Sequence, residues 1–98
     1  MITDNINIEW DINKNIKNIK KHNVSFEEAA SVFFDEEALM IPDPDHSQQE
    51  ERFLLLGYSE YAKLLVVCHC YRESNVIRII SARKANKRES NTYYERCE

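Results

Sequence analysis

The sequence predicts one α+β domain of order β-α-α-β-β-β-β-α. An antiparallel sheet is packed by two N-terminal helices and followed by a C-terminal closing helix. Three observations lead there. Apolar residues recur at helical spacing between residues 12 and 33. Three apolar runs between 52 and 82 are separated by connectors short enough for hairpins. Beyond Lys84 helical spacing returns on a polar segment. With 98 residues the chain is read as a single domain over 1–98, large enough to bury roughly 60–70% of its unfolded surface.

The elements follow in order. Asn5 to Trp10 alternates Ile6, Ile8 and Trp10 with polar neighbours, the pattern of a half-buried strand. Asp11 is the N-cap candidate of a first helix. Ile12, Ile16 and Ile19, at i, i+4 and i+7, read as its buried stripe. His22-Asn23 ends it, asparagine tolerating the left-handed conformation of helix C-termini. Ser25 and Glu28 form a capping box that starts a second helix with Phe26, Ala29, Ala30 and Phe33 on its inner face. Ala38–Ile41 reads as a short strand, and Pro42-Asp43-Pro44-Asp45 as a turn. Arg52–Tyr58, Leu64–Tyr71 and Val76–Ala82 read as the meander, with the only glycine, Gly57, marking a possible bulge. Lys84–Arg96 is the closing helix, whose inner face of Ala85, Glu89 and Tyr93 is barely apolar.

Composition excludes several classes. No apolar run approaches the roughly 18 residues of a membrane helix, and residues 1–20 lack the apolar core of a signal peptide. Both point to a cytoplasmic address. Cys68, Cys70 and Cys97 are an odd set. Two of them lie on one face of one strand, a pattern of buried filler in a reducing compartment. His69 would point to the opposite face, so no metal site forms with Cys68 and Cys70. Asp43, Asp45 and His46 are better read as turn residues than as a metal loop. One glycine leaves no phosphate-cradling loop, and neither G-x-S-x-G nor H-E-x-x-H occurs. No cofactor and no metal are expected.

Charge is distributed unevenly. Residues 1–60 carry 13 acids against 5 bases, whereas 61–98 carry 8 bases against 4 acids. Residues 78–88 hold Arg78, Arg83, Lys84, Lys87 and Arg88 with no acid. Because screening limits distant charges to roughly 10 Å, such a cluster can bind phosphates on an acidic protein. A solvated face explains it equally well. The polar residues of the strands and closing helix are suited to RNA cleavage without a metal. A base takes the 2′-hydroxyl proton, cations hold the phosphate's growing charge, and an acid protonates the leaving oxygen. His69 and Glu89 are the base candidates. Arg72, Arg83 and Lys84 are the charge stabilisers, and Tyr93 stacks on a base or passes a proton. Arg52, Arg78, Lys84, Lys87 and Arg88 complete the RNA-binding set. Each has a plainer reading: His69 as a buried core histidine, Arg78 as the partner of a carboxylate, Glu89 as an ordinary helix-surface partner.

Four segments, Glu9-Trp10-Asp11, Lys21 to Ala29, Glu51-Arg52-Phe53 and above all Ile77-Arg78-Ile79-Ile80-Ser81-Ala82-Arg83-Lys84-Ala85, resemble the BrnT family of bacterial type II toxin–antitoxin systems. The match runs in order from about Ile8 to Tyr93. Asn23 stands where the family usually has glycine after Lys-His, and Tyr93-Tyr94-Glu95 has one tyrosine more than usual. The resemblance implies a RelE-like fold and a toxin that cleaves RNA without metal and inhibits translation. It also implies neutralisation by a ribbon-helix-helix antitoxin, BrnA-like, with operator DNA bound only through that partner. The face bearing His69, Arg72, Arg78, Arg83, Lys84, Glu89 and Tyr93 would be the RNA site. The alternative is a non-catalytic module that binds a partner and contributes to an autoregulatory DNA-binding complex.

Overall fold

A computed structural model describes residues 7–43, 51–73 and 75–96. Strand β1 (Asn7–Glu9) is followed by helices α1 (Ile12–His22) and α2 (Phe26–Ser31) and a 3₁₀ turn over Val32–Phe34. Strands β2 (Leu39–Pro42), β3 (Phe53–Tyr58), β4 (Leu64–Arg72) and β5 (Val76–Lys84) then lead to α3 (Lys87–Arg96). Ile6, Asp45 and His46 fall outside the described residues.

The expected local signals operate. Asp11 accepts from the N–H groups of Asn13 and Lys14, which hold its carboxyl below the usual range. Asn23 is left-handed (φ 59°, ψ 34°), and its N–H bonds the Ile19 carbonyl. The Ser25 hydroxyl caps the Glu28 N–H. The Glu28 carboxylate does not return to Ser25. It accepts from the Ser59 hydroxyl at 2.7 Å and ties α2 to the β3–β4 turn.

The sheet is mixed rather than antiparallel. Its order is β1-β5-β4-β3-β2, and β1 lies parallel to β5, with Asn7 opposite Val76 and Glu9 opposite Arg78. The bulge sits in β5, not at Gly57. Cys68 faces Ser81 and His69 faces Ile79, so Ile80 is the extra residue. Gly57 pairs regularly with Leu65. A Cβ there would stand 2.9 Å from the Ala38 Cβ and 3.0 Å from Val32 and Asp35, so glycine admits the chain that crosses it.

The main core lies between α1, α2 and one sheet face, built from Val24, Phe26, Ala29, Val32, Leu65, Val67, Ile77, Ile79 and Ala82. A smaller cluster on the opposite face joins Leu56, Val66 and Tyr93, which is how α3 docks. The α1 stripe is reversed from expectation. Ile12, Ile16 and Ile19 are 70%, 48% and 41% exposed, while Asn15 and Asn18 are buried. Hydrogen bonding decides this. The Asn15 carbonyl oxygen accepts from the Phe26 N–H at 2.9 Å. Asn18 donates to the carbonyls of Val24 and Ala82 and accepts from the Ala82 N–H. These bonds satisfy backbone groups that burial would otherwise leave without partners.

Candidate active site

The β5 bulge organises the cations. Before it, Ile77 and Ile79 face the main core; after it, Ala82 does. Alternation therefore places Arg78 and Arg83, five residues apart, on the same opposite face. Cys70 and Arg72 of β4 belong to that face as well, since Cys70 pairs with Arg78 and Arg72 with Val76. Arg72 is nonetheless remote from Arg83. Val76 and Arg83 lie seven residues apart along β5, about 20 Å at strand spacing.

Arg83 and Glu89 form the best-defined polar pair on this face. Two guanidinium nitrogens donate to the two carboxylate oxygens at 2.9 Å each. Glu89 also accepts from the Asn86 N–H at 2.9 Å, and its own N–H donates to the Asn86 side chain at 2.8 Å. Asn86-Lys87-Arg88-Glu89 is thus a capping box that starts α3. Helix α3 begins at Lys87, so the expected start at Lys84 is corrected: Lys84 is the last residue of β5. Arg83 holds the Glu89 carboxyl below its usual range against the effect of burial, and the same bonds raise Arg83. The Arg83 side chain remains 40% exposed against 18% for Glu89, so the guanidinium stays within reach of a ligand. Lys84, Lys87 and Arg88, next to Arg83 and Glu89 in the chain, are exposed.

Three expected site residues are placed differently. His69 lies on the opposite, helix-facing side, wholly buried against Phe33, Phe53 and Tyr71. Its Nδ1 donates to the Val67 carbonyl at 3.2 Å, and Nε2 is left an acceptor with no hydrogen-bond partner among the described residues. Burial lowers its pKa and keeps the ring neutral. Tyr93 is buried, and its hydroxyl donates to Asp35 at 2.8 Å; Tyr94 is the exposed tyrosine and bonds the Tyr58 hydroxyl. Arg78 takes its plainer reading, donating to Glu9 at 2.8 Å. Asp35 reads in the sequence only as the close of the second helix, yet one of its oxygens also accepts from the Tyr58 N–H and so joins β3 to α3. The signal available for it was an Asp set between a helix and a strand.

Cys68 donates to Asp43 at 3.7 Å, and burial raises its thiol to about 11. It is a protonated, unreactive filler.

A model of the family described as ribonuclease toxin, BrnT, of type II toxin–antitoxin systems matches residues 10–89. The chain belongs to the BrnT family. Its fold is similar to the crystal structure of the Brucella abortus ribonuclease toxin BrnT, with a TM-score of 0.65 and 23% identity over 84% of this chain and 99% of that one. No curated protein matches it. This BrnT-family chain also has an open groove of about 640 Å³, lined by Glu27, Phe34, Asp35, Tyr58 and Glu60 among others. Three carboxylates in that lining, of Glu27, Asp35 and Glu60, disfavour phosphate there. Among the described residues no helix is long and apolar enough to cross a membrane.

Proposed function

We propose that this BrnT-family chain is an endoribonuclease toxin of the RelE-like kind that works in the cytoplasm. It cuts RNA without a metal, halts translation, and is held inactive by a ribbon-helix-helix, BrnA-like antitoxin through which alone the complex reaches operator DNA. The observation that carries the reading is the Arg83–Glu89 pair at the β5–α3 junction, with exposed Lys84, Lys87 and Arg88 in the connecting segment. In the reaction the ribose 2′-oxygen attacks phosphorus and the bond to the 5′-oxygen breaks. The product ends are a 2′,3′-cyclic phosphate and a 5′-hydroxyl. Arg83 stabilises the charge that grows on the phosphate oxygens. Glu89 positions it, since a carboxylate bridged to a guanidinium and a backbone N–H is a weak base. Lys84, Lys87 and Arg88 hold flanking phosphates, and Arg52, Arg72 and Arg78 extend the path along the sheet face. Tyr93 anchors α3. His69, sealed in the core, has a structural role, so water receives the 2′-hydroxyl proton and water returns one to the leaving 5′-oxygen.

The test is cleavage of cellular RNA in EDTA, with RNA ends mapped. Arg83→Ala should lose about 100-fold in rate with an unchanged circular dichroism spectrum, and Arg83→Lys should restore little. A folded Arg83→Ala, Lys84→Ala protein that cleaves at the wild-type rate would refute the site. The second reading, a non-catalytic partner-binding module, draws on one observation: Arg78 and Arg83 are both already paired with carboxylates. It predicts antitoxin binding with no cleavage.

A further inference from the structure

The isoleucines of α1 cannot be turned inward. A helix turns about 100° per residue, so Asn15 and Asn18 occupy one face and Ile12, Ile16 and Ile19 the adjacent one. The two asparagines bind the backbone of Val24, Phe26 and Ala82. Rotating α1 to bury the isoleucines would break all of these bonds. Three large apolar side chains are therefore held in solvent by the fold itself, which is the mark of an interaction surface. Lys17 and Lys20 border the stripe, Lys14 and Lys21 lie beyond it, and α1 carries no acid. Among the described residues none of these lysines makes an ion pair.

That charge selects the occupant. A second copy would bring two lysine-rich helices face to face and is disfavoured by repulsion. Nucleic acid would satisfy the lysines but press phosphate onto isoleucine. We infer that the Ile12–Ile16–Ile19 face of α1 docks an amphipathic protein segment whose apolar side chains are flanked by aspartate and glutamate. Resting on the toxin reading above, that segment belongs to the antitoxin. The surface lies on α1, whereas Arg83 projects from the sheet face opposite the main core.

The experiment measures affinity of the full chain for its cognate antitoxin by calorimetry at low and high salt, and RNA cleavage by the free toxin. Ile16→Asp with Ile19→Asp should weaken binding about 100-fold. Lys17→Glu with Lys20→Glu should weaken it about 10-fold at low salt and less at high salt. Both variants should keep the wild-type melting temperature and cleavage rate. Folded variants that bind antitoxin like the wild type overturn the inference. So does self-association abolished by Ile16→Asp, or binding to vesicles one quarter anionic phospholipid, with antitoxin affinity unchanged. Wild-type protein that cleaves no RNA overturns the nuclease reading while the variants still report on the surface. Wild-type protein that cleaves RNA but binds no antitoxin overturns the inference and leaves the nuclease reading standing.

Discussion

Asn18 grips the backbone of Ala82 from both sides. Its amide nitrogen donates to the Ala82 carbonyl at 2.8 Å, and its amide oxygen accepts from the Ala82 N–H at 3.1 Å. Strand β1 covers the outer edge of β5 only through Arg78. Beyond it, Asn18 supplies the pair of bonds that another strand would supply, one residue before Arg83. Asn18→Ala should therefore cost about 2–4 kcal/mol, because it strands a buried N–H and two carbonyls. Asn18→Asp should recover little of this, since a carboxylate cannot donate. Urea unfolding measures the cost, and RNA cleavage should fall with it as Arg83 loses its footing.

Tyr93 and Asp35 make the corresponding link for α3. Tyr93→Phe keeps the ring in the Leu56–Val66 cluster but removes a hydrogen bond to a carboxylate. A loss of about 1.5–3 kcal/mol is expected. Tyr94→Phe, altering an exposed hydroxyl, should change stability by less than about 0.5 kcal/mol. Equal effects in thermal melts would remove Tyr93 as the anchor.

The fold was legible where local chemistry decides it. Asp11, Asn23 and Ser25 announced their helix ends, and the three apolar runs announced β3, β4 and β5. The Ile-Arg-Ile-Ile-Ser-Ala-Arg-Lys-Ala string announced the family. What escaped was long-range. The isoleucine period of α1 was read as its buried face because nothing local reveals that Asn18 must serve the edge of a strand far along the chain. The bulge at Ile80 is a property of the β4–β5 pairing, and without it strict alternation would set Arg78 and Arg83, which the family resemblance puts on one face, on opposite faces. His69 was ambiguous between core and site, and the aromatic rings around it come from three separate elements. Asn86-x-x-Glu89, by contrast, has the spacing of a capping box in the sequence alone.

Gly57 gives a packing prediction. Gly57→Ala must displace Ala38, Val32 or the Asp35 carboxylate. A cost of about 1–3 kcal/mol is expected, typical of overpacking. Because Asp35 holds Tyr58 and Tyr93, amide exchange in α3 should quicken before the rest of the chain loosens.

His69 gives a pH dependence. Burial lowers its native pKa, so as pH falls through the unfolded value of about 6.5 the unfolded chain takes up a proton that the native ring refuses. Stability contributed by the neutral ring is full above that pH and drains below it, with a limiting slope of about 1.4 kcal/mol per pH unit. Urea midpoints between about pH 7.5 and 5 should show this limb, and His69→Leu should flatten it. An identical limb in the variant would place the acid sensitivity elsewhere.

The parallel pairing of Asn7 with Val76 bears on how the protein is born. Its first strand and first two helices seat on β5, a segment made long after them. The nascent chain cannot complete its interior from the front, and such distant closure slows folding. Each molecule thus closes its interior only once the strand that carries Arg83 has joined the sheet.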